Sequence, residues 1–249
     1  MFYPVPLIEG RLVRRYKRFL ADVELRHLEL ADGGIETVHC PNPGAMMGLL
    51  APAAPVWLLP AANPKAKLRL AWELVEADGV LVGINANRPN RLVEEALAVG
   101  LLPVLAGYSE VRREVRYGLR SRVDLVLTAA DRPPCYVEIK NVHLRRGGWA
   151  EFPDCVSARG ARHLGELGTM AEHGCRAMVL FVVQRADCDR LRLATDLDPA
   201  FAAAMARALS RGVEVAACVC TITTAGVTIT REIPFHTEDL PDPGGMARG

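Results

Sequence analysis

Residues 136–140 read Tyr136-Val137-Glu138-Ile139-Lys140, and this stretch decides how the second half of the chain folds. Side chains alternate between the two faces of a strand, so Glu138 and Lys140 share one face and the apolar residues take the other. A carboxylate and an ammonium inside an apolar strand are costly to bury unless they are paired or bind a metal ion. The stretch therefore predicts a strand that carries a paired or metal-binding acid.

A second acid interrupts the preceding apolar run, where Asp124 stands between Val123 and Leu125. If the two runs are adjacent strands, both carboxylates come within reach of one ion, and two carboxylates can hold Mg²⁺ with water completing its shell. We predict that Asp124 and Glu138 bind Mg²⁺ or Mn²⁺, that the carbonyl of Ile139 adds a ligand, and that Lys140 assists the attacking water. The alternative is a surface ion pair between Glu138 and Lys140, which contributes little stability.

The composition suits one large domain or two modest ones, with 249 residues, half of them hydrophobic, and a net charge of +1. Seven cysteines without a Cys-x-x-Cys pair argue against structural zinc and against a disulfide framework. The sequence contains no apolar stretch as long as a membrane span and begins without the pattern of a secretory signal. We therefore expect a cytoplasmic protein with no membrane partner.

Two regions differ in their pattern of elements. Residues 1–86 read as about five short strands separated by turns, which predicts a small closed barrel, and the OB-fold is the commonest such module that binds nucleic acid. Residues 87–240 read α-β-β-β-α-β and then α-β, with Asn90 as the expected cap of the first helix and Asp198 as that of the last. Residues 241–249 are rich in Pro and Gly, and we expect them to be a disordered tail.

The second region has the element order of the restriction-endonuclease-like (PD-(D/E)xK) core, with Asp124 on its second strand and Glu138 and Lys140 on its third. The predicted fold class is therefore α/β, an N-terminal OB-like β-barrel followed by this mixed α/β core. Glu95 on the preceding helix is our choice for a third catalytic carboxylate, because we expect Glu94 to lie further round toward solvent. A solvated helix face is the equal alternative for Glu95.

Local clusters of basic residues predict DNA as the partner, even though the net charge is only +1. The predicted DNA-binding residues are Arg14, Arg15, Lys17 and Arg18 in the first strands, Lys65 and Lys67 in a later barrel loop, and Arg159 and His163 on the second core helix. A third cluster contains Arg112, Arg113, Arg116, Arg120 and Arg122. Tyr16 and Phe19 interleave with the first cluster, and OB-folds stack bases on such aromatic side chains. A solvated polar face is the alternative for each cluster.

Several stretches of the chain resemble the sugar fermentation stimulation protein A (SfsA) family. The matching stretches are residues 10–23, 39–42, 72–74, 90–92, 114–118, 121–124, 135–140 and 152–154, with Arg159-Gly160 and His163-Leu164. The resemblance implies an N-terminal OB-like domain, a nuclease-type core, and DNA binding linked to the regulation of sugar (maltose) utilisation. By position it assigns the nuclease motif to Asp124, Glu138 and Lys140, and it aligns Glu95 with the helix acid.

Three functions stay open on the sequence alone. The first is a divalent-metal-dependent nuclease that cleaves DNA phosphodiester bonds, favoured because a pure binding protein has no use for Asp124 inside an apolar strand. The second is a non-catalytic DNA-binding regulator of sugar (maltose) metabolism genes, although the sequence shows no helix-turn-helix motif. The third is an enzyme that acts on a sugar, which has little support because the sequence contains no Gly-rich phosphate loop. The oligomeric state also stays open, with a homodimer as one candidate.

Overall fold

The computed structural model describes residues 1–25, 34–63, 65–118 and 121–243. These residues form a β-barrel followed by a mixed α/β core, so the predicted fold class is confirmed. The predicted tail at 241–249 lies largely outside the described residues. Among the residues that the structure describes, no helix is both long and apolar enough to cross a membrane.

The barrel is built from short strands that alternate inward and outward side chains. In the described part they are β1 Ile8–Tyr16, β2 Leu20–Leu25, β3 Ile35–His39, β4 Pro55–Pro60, β5 Leu70–Ala77 and β6 Val80–Gly83. Their order in the sheet is β3-β2-β1-β4-β5-β6, and an additional pairing of β3 with β5 closes the first five strands into a barrel. Val23, Val56 and Trp72 are fully buried inside it, as the alternation requires.

The core is a six-stranded sheet in the order β15-β14-β12-β9-β8-β7 with helices on both faces. Its strands are β7 Glu110–Tyr117, β8 Ser121–Ala129, β9 Arg132–Val142, β12 Arg176–Val183, β14 Glu214–Thr223 and β15 Gly226–Ile233. The helices are α1 Pro89–Ala98, α2 Ala158–Glu172 and α3 Pro199–Ser210, and a short 3₁₀ turn spans Pro103–Leu105. As predicted, Asp198 caps α3, accepting a 2.9 Å hydrogen bond from the N–H of Phe201.

Two apolar cores lie on opposite sides of the central strand β12, in which every residue after Arg176 is buried. Val179 and Phe181 pack on the side of α2 and α3, whereas Met178 and Leu180 pack on the side of α1. Burial on both faces explains why β12 is an unbroken apolar run, as is usual for a strand between parallel neighbours.

The sequence pattern gave no sign of a small third sheet, formed by β10 Leu144–Arg146, β11 Trp149–Phe152 and β13 Leu191–Leu193. Arginines in β10 and β13 mask the alternation expected of a half-buried strand. Their charges are satisfied by Glu151, whose side chain is fully buried between Arg146 and Arg192, 2.8 Å from Arg192. The sheet is thus stabilised by an ion-pair network that short-range periodicity does not reveal.

The barrel and the core are joined by direct hydrogen bonds. The main-chain N–H of Gly83 donates to the carbonyl of Gln184 over 2.8 Å. The N–H of Met46, in the barrel loop after β3, donates to Oδ2 of Asp154 over 2.6 Å. Because Asp154 immediately precedes α2, this contact places the barrel loop beside the N-terminal end of that helix.

Candidate functional site

Asp124 lies in β8 where this strand separates from β9. Backbone pairing of the two strands extends to Leu125↔Val137. Beyond this pair a side chain takes the place of the main-chain acceptor. The main-chain N–H of Ile139 donates a 2.7 Å hydrogen bond to Oδ2 of Asp124. The acid is thereby fixed against the strand that carries Glu138.

The chain of β8 changes face at Asp124. Val123 packs in the core under α2 and α3, whereas Leu125 packs in the core under α1, although residues two apart in a regular strand share a face. In the neighbouring strand β7, Glu114 has a φ of 49° and is skipped in the pairing of the two strands. The register of β7 and β8 is the same on both sides of this position, so Glu114 and Asp124 face each other where the pairing from Glu110 to Tyr117 is interrupted.

Glu138 is 4 % exposed, and its two carboxylate oxygens have different surroundings. Oε1 accepts hydrogen bonds from Nζ of Lys140 and from Nδ1 of His163, each at 2.6 Å. Oε2 is buried and has no hydrogen-bond partner among the described residues. A buried, unsatisfied carboxylate oxygen carries a desolvation cost that a bound cation would remove.

The two acids have opposite pKa shifts. Burial, and then repulsion from Glu138, raise the pKa of Asp124 above its ordinary value. Burial also acts to raise the pKa of Glu138, but the hydrogen bond from His163 and the charge of Lys140 outweigh it and lower that pKa. The group therefore combines one acid that readily ionises with a neighbour that ionises only at a cost.

The donor set fits a hard divalent cation. Oε2 of Glu138 is free, and the carboxylates of Asp124 and Glu138 repel each other, which a cation between them would relieve. Mg²⁺ and Mn²⁺ prefer oxygen ligands. No group of three or more His, Cys, Asp or Glu side chains poised to hold a metal occurs within the described ranges. Two carboxylates would therefore be completed by water and main-chain oxygen, as is usual for Mg²⁺.

A third acid that the sequence analysis missed lies nearby on α2. Oε2 of Glu166 is buried without a partner among the described residues. Burial raises the pKa of the Tyr117 hydroxyl, and the charges of Glu138, Glu166 and Asp124 raise it further. Glu166 follows His163 by three residues, and that helical spacing was the only available signal.

The structure does not bring Glu95 to this group. Its carboxylate binds the amino group of Met1 at 2.5 Å and Arg91 at 2.9 Å, and its side chain is 40 % exposed. Glu94 is more buried, at 14 %, and pairs with Arg113 of β7, so the expected exposure of these two acids was the wrong way round.

The residue of α1 that does reach the site is Asn90, whose Nδ2 donates to Oδ1 of Asp124 over 3.1 Å. Asn90 was expected to be the N-cap residue of this helix. In the structure the N-cap residue is Arg88 and α1 begins at Pro89, two residues earlier than predicted. Proline is favoured at the first position of a helix because it has no N–H to satisfy. This shift of the start leaves the Asn90 side chain free to bind Asp124.

His163 was predicted to bind DNA phosphate, but it is 3 % exposed and contacts Glu138 instead. The prediction was wrong on this point because the His163 side chain points into the interface between α2 and the sheet, whereas that of Arg159 is at the surface. Arg159 is exposed, and its Nε donates to Nε2 of His163 over 3.4 Å, so the predicted common face of these two residues is present.

The first barrel cluster contains two kinds of arginine. Arg14 is 68 % exposed, pairs with Asp22 at 2.8 Å and lies over the Tyr16 ring. Arg15 is committed to the loop after β3, because its Nη2 donates to the carbonyls of Asn42 and Gly44 at 2.8 and 2.9 Å. Its guanidinium holds the chain, so a phosphate would have to compete with main-chain acceptors.

Exposed basic side chains occupy three other places. Lys17 and Arg18 form the tight turn between β1 and β2, with φ values of 46° and 64°. Lys65 and Lys67 are exposed in the loop before β5. Arg112, Arg113, Arg116 and Arg122 are exposed on β7 and β8, whereas Arg120 lies outside the described residues.

Two family models match consecutive parts of the chain. Residues 13–84 match the SfsA N-terminal OB domain, and residues 87–226 match the sugar fermentation stimulation protein RE domain. The chain belongs to the sugar fermentation stimulation protein family. The boundary between the two matches lies between the end of β6 and the start of α1.

Similarity to relatives of known name extends over almost the whole chain. A sugar fermentation stimulation protein homolog of Maricaulis maris is 53 % identical over 96 % of this chain and 99 % of its own length. A homolog of Rhodospirillum centenum is 54 % identical over 94 % of this chain and 98 % of its own. A solved structure of Pyrococcus furiosus SfsA in complex with Ca²⁺ matches with a TM-score of 0.85 and 28 % identity, covering 95 % of this chain and 98 % of that one.

Proposed function

We propose that this member of the family is a DNA-binding, divalent-metal-dependent nuclease that hydrolyses phosphodiester bonds. The observation that carries the proposal is the unpartnered Oε2 of Glu138, buried beside Asp124, with the Lys140 ammonium on the other oxygen. The archaeal relative was solved in complex with Ca²⁺, a hard oxygen-binding cation of the same class, which supports the same chemistry here.

Asp124 and Oε2 of Glu138 would hold the cation, and the carbonyl of Ile139, the next residue of the same strand, would add a further ligand. A bound Mg²⁺ or Mn²⁺ would supply charge stabilisation to a scissile phosphate and lower the pKa of water. Asn90 and the Ile139 N–H hold Asp124 in place, each donating to one of its two oxygens. Preorganised ligands of this kind need little rearrangement when substrate binds.

Lys140 suits the role of a charged donor. Its Nζ already donates to Glu138 over 2.6 Å, and its side chain is 13 % exposed. A lysine between two carboxylates and a phosphate acts best as a cation that offsets phosphate charge and orients the attacking water. Replacing it with alanine would remove this contribution without removing a metal ligand.

A basic surface leads from the barrel to this site. Lys17 and Arg18 lie on the β1–β2 turn. Arg15 binds the loop after β3, and the main-chain N–H of Met46 in that loop donates to Asp154, which precedes α2. Arg159 on the first turn of α2 then contacts His163 beneath Glu138. The first turn of α2 contains no acidic residue of its own, but the N–H of its N-cap residue Ser157 already donates to Oδ2 of Asp198 over 2.6 Å.

The second candidate is a non-catalytic DNA-binding regulator of sugar metabolism genes. The observation in its favour is that the described residues offer two carboxylates and no three-ligand group, since Glu95 pairs with Met1 and Arg91 elsewhere. On this view Asp124 and Glu138 would form part of a scaffold closed by Lys140.

Cleavage assays on single-stranded, duplex and branched DNA, with Mg²⁺, Mn²⁺ or EDTA, distinguish the two functions. We expect metal-dependent cleavage by the wild type and none by Lys140→Ala, which should still bind DNA. Asp124→Ala should lose both cleavage and tight metal binding, because a single carboxylate holds Mg²⁺ poorly. Tight DNA binding by the wild type without cleavage of any substrate would favour the regulator.

A further inference from the structure

His163 is a buried histidine whose ring is held from two sides. Nδ1 lies 2.6 Å from Oε1 of Glu138, and Nε2 lies 3.4 Å from Nε of Arg159. The hydroxyl of Tyr117 donates to the main-chain carbonyl of His163 over 3.5 Å. The ring therefore has a fixed position between the N-terminal end of α2 and the carboxylate of β9.

The contact with Arg159 determines the tautomer of His163. A guanidinium N–H only donates, so Nε2 has to be the acceptor and Nδ1 carries the proton. The Nδ1–H then donates to Oε1 of Glu138, the oxygen that also receives Lys140. With both donors on Oε1, the plane of the carboxylate is fixed and Oε2 keeps its lone pairs free.

We propose that His163, as the neutral Nδ1–H tautomer, is a positioning residue that fixes Glu138 so that Oε2 is presented to a divalent cation. This inference rests on the metal site of the proposed function. Lys140 alone cannot do this, because its long flexible side chain constrains the carboxylate far less than a packed ring does. Groups that orient metal ligands from behind are typically worth about 10–100-fold in metal affinity.

The first test needs no metal. Long-range ¹H–¹⁵N NMR spectra of the histidine rings of the full chain in EDTA distinguish the two neutral tautomers by their nitrogen shifts. We expect the His163 signals, assigned by their loss in His163→Asn, to be those of the Nδ1–H form. Signals of the Nε2–H form would overturn the positioning role whatever the protein does with metal.

The second test measures Mn²⁺ affinity by calorimetry. The amide of Asn places an N–H donor near the position of Nδ1, whereas Leu has a similar bulk and no donor. We expect His163→Asn to bind Mn²⁺ within about threefold of wild type and His163→Leu about 10–100-fold more weakly. His173→Asn, on the exposed end of α2, is the matched control and should bind like wild type.

The outcomes separate the two proposals. If His163→Leu binds Mn²⁺ like wild type, or if the Asn and Leu variants lose affinity equally, the positioning role is wrong and the metal site stands. If the wild type binds no Mn²⁺ although NMR shows the Nδ1–H tautomer, the proposed function fails and the positioning role falls with it. Urea denaturation of each variant identifies any loss that comes from unfolding.

Discussion

At the scale of single residues, the site depends on an unequal treatment of the two oxygens of Glu138. Oε1 receives two donors, and Oε2 receives none from the described residues. An acid that is 4 % exposed normally has every oxygen satisfied, because leaving one unpaired costs about 1–3 kcal/mol. The exception is explained if the missing partner is a cation.

The raised pKa of Asp124 predicts that this acid destabilises the fold when no metal is bound. Stability contributed by a group with a raised folded pKa is complete below its unfolded pKa, about 3.8, and is lost as the pH rises through the folded value. In EDTA at pH 7, Asp124→Asn should therefore raise the free energy of unfolding by about 0.5–2 kcal/mol, the usual range for stabilising substitutions.

Urea denaturation at several pH values measures this effect. The advantage of Asp124→Asn should shrink as the pH falls toward 3.8, where the wild-type acid becomes protonated in both states. Asp131→Asn is the control, because Arg132 lowers the pKa of the exposed Asp131, and it should bring no gain. A wild type that is as stable as Asp124→Asn at pH 7 would refute the prediction.

Placement on adjacent strands predicted that Asp124, Glu138 and Lys140 meet, and their side chains do lie together, although β8 breaks the regular alternation at Asp124. Their catalytic and metal-binding roles stay predictions. The helix residues were harder, since α1 begins two residues earlier than predicted and Asn90, not Glu95, contacts Asp124. The inward turn of His163 depends on how α2 packs on the sheet, which periodicity alone does not give.

At the scale of elements, β7 contains one residue with a strained backbone, Glu114, which lies opposite Asp124. Glu114 adopts a φ of 49°, which costs an L-residue about 1–2 kcal/mol relative to ordinary backbone. Glu114→Gly should remove this strain and raise stability by about 0.5–1 kcal/mol. Glu114→Val should lower stability, because a β-branched side chain tolerates this conformation poorly.

Arg112→Gly provides the matched control for Glu114→Gly, because Arg112 is exposed on the same strand and pairs regularly with Val126. Glycine in a regular strand is destabilising by roughly 0.5–1 kcal/mol, so the two glycine variants should differ in sign. Equal losses at both positions in urea denaturation would show that the backbone at Glu114 stores no strain.

The larger elements were predictable because each has its own local signal. β12 is an unbroken apolar run, and α3 begins at Asp198-Pro199, a cap followed by proline. The small sheet of β10, β11 and β13 has no such signal, since its strands are three or four residues long and two of them, β10 and β13, contain arginines. Its formation depends on Glu151, which pairs with arginines distant in sequence.

At the scale of the whole molecule, a net charge of +1 means that DNA binding has to come from local clusters. Lys17→Ala with Arg18→Ala should weaken DNA binding and reduce the slope of log affinity against log salt by up to about 1.8, since each lost phosphate contact releases about 0.9 fewer counterions. Arg15→Ala should instead destabilise the loop that this side chain holds.

Fluorescence anisotropy with labelled DNA at several salt concentrations gives this slope. Arg207→Ala is the charge-matched control, because Arg207 is exposed near the C-terminal end of α3, and its slope should equal that of wild type. A slope unchanged by the double substitution at the β1–β2 turn would exclude this turn from the DNA interface.

Anomalous diffraction from Mn²⁺-soaked crystals shows whether Asp124 and Glu138 hold a divalent cation. We expect an anomalous peak within about 2.0–2.5 Å of Oε2 of Glu138 and of an Asp124 oxygen. Crystals of Glu138→Gln soaked in the same way should lack this peak. A wild-type map with Mn²⁺ bound elsewhere, or with no peak between the two acids, would show that these residues form no metal site.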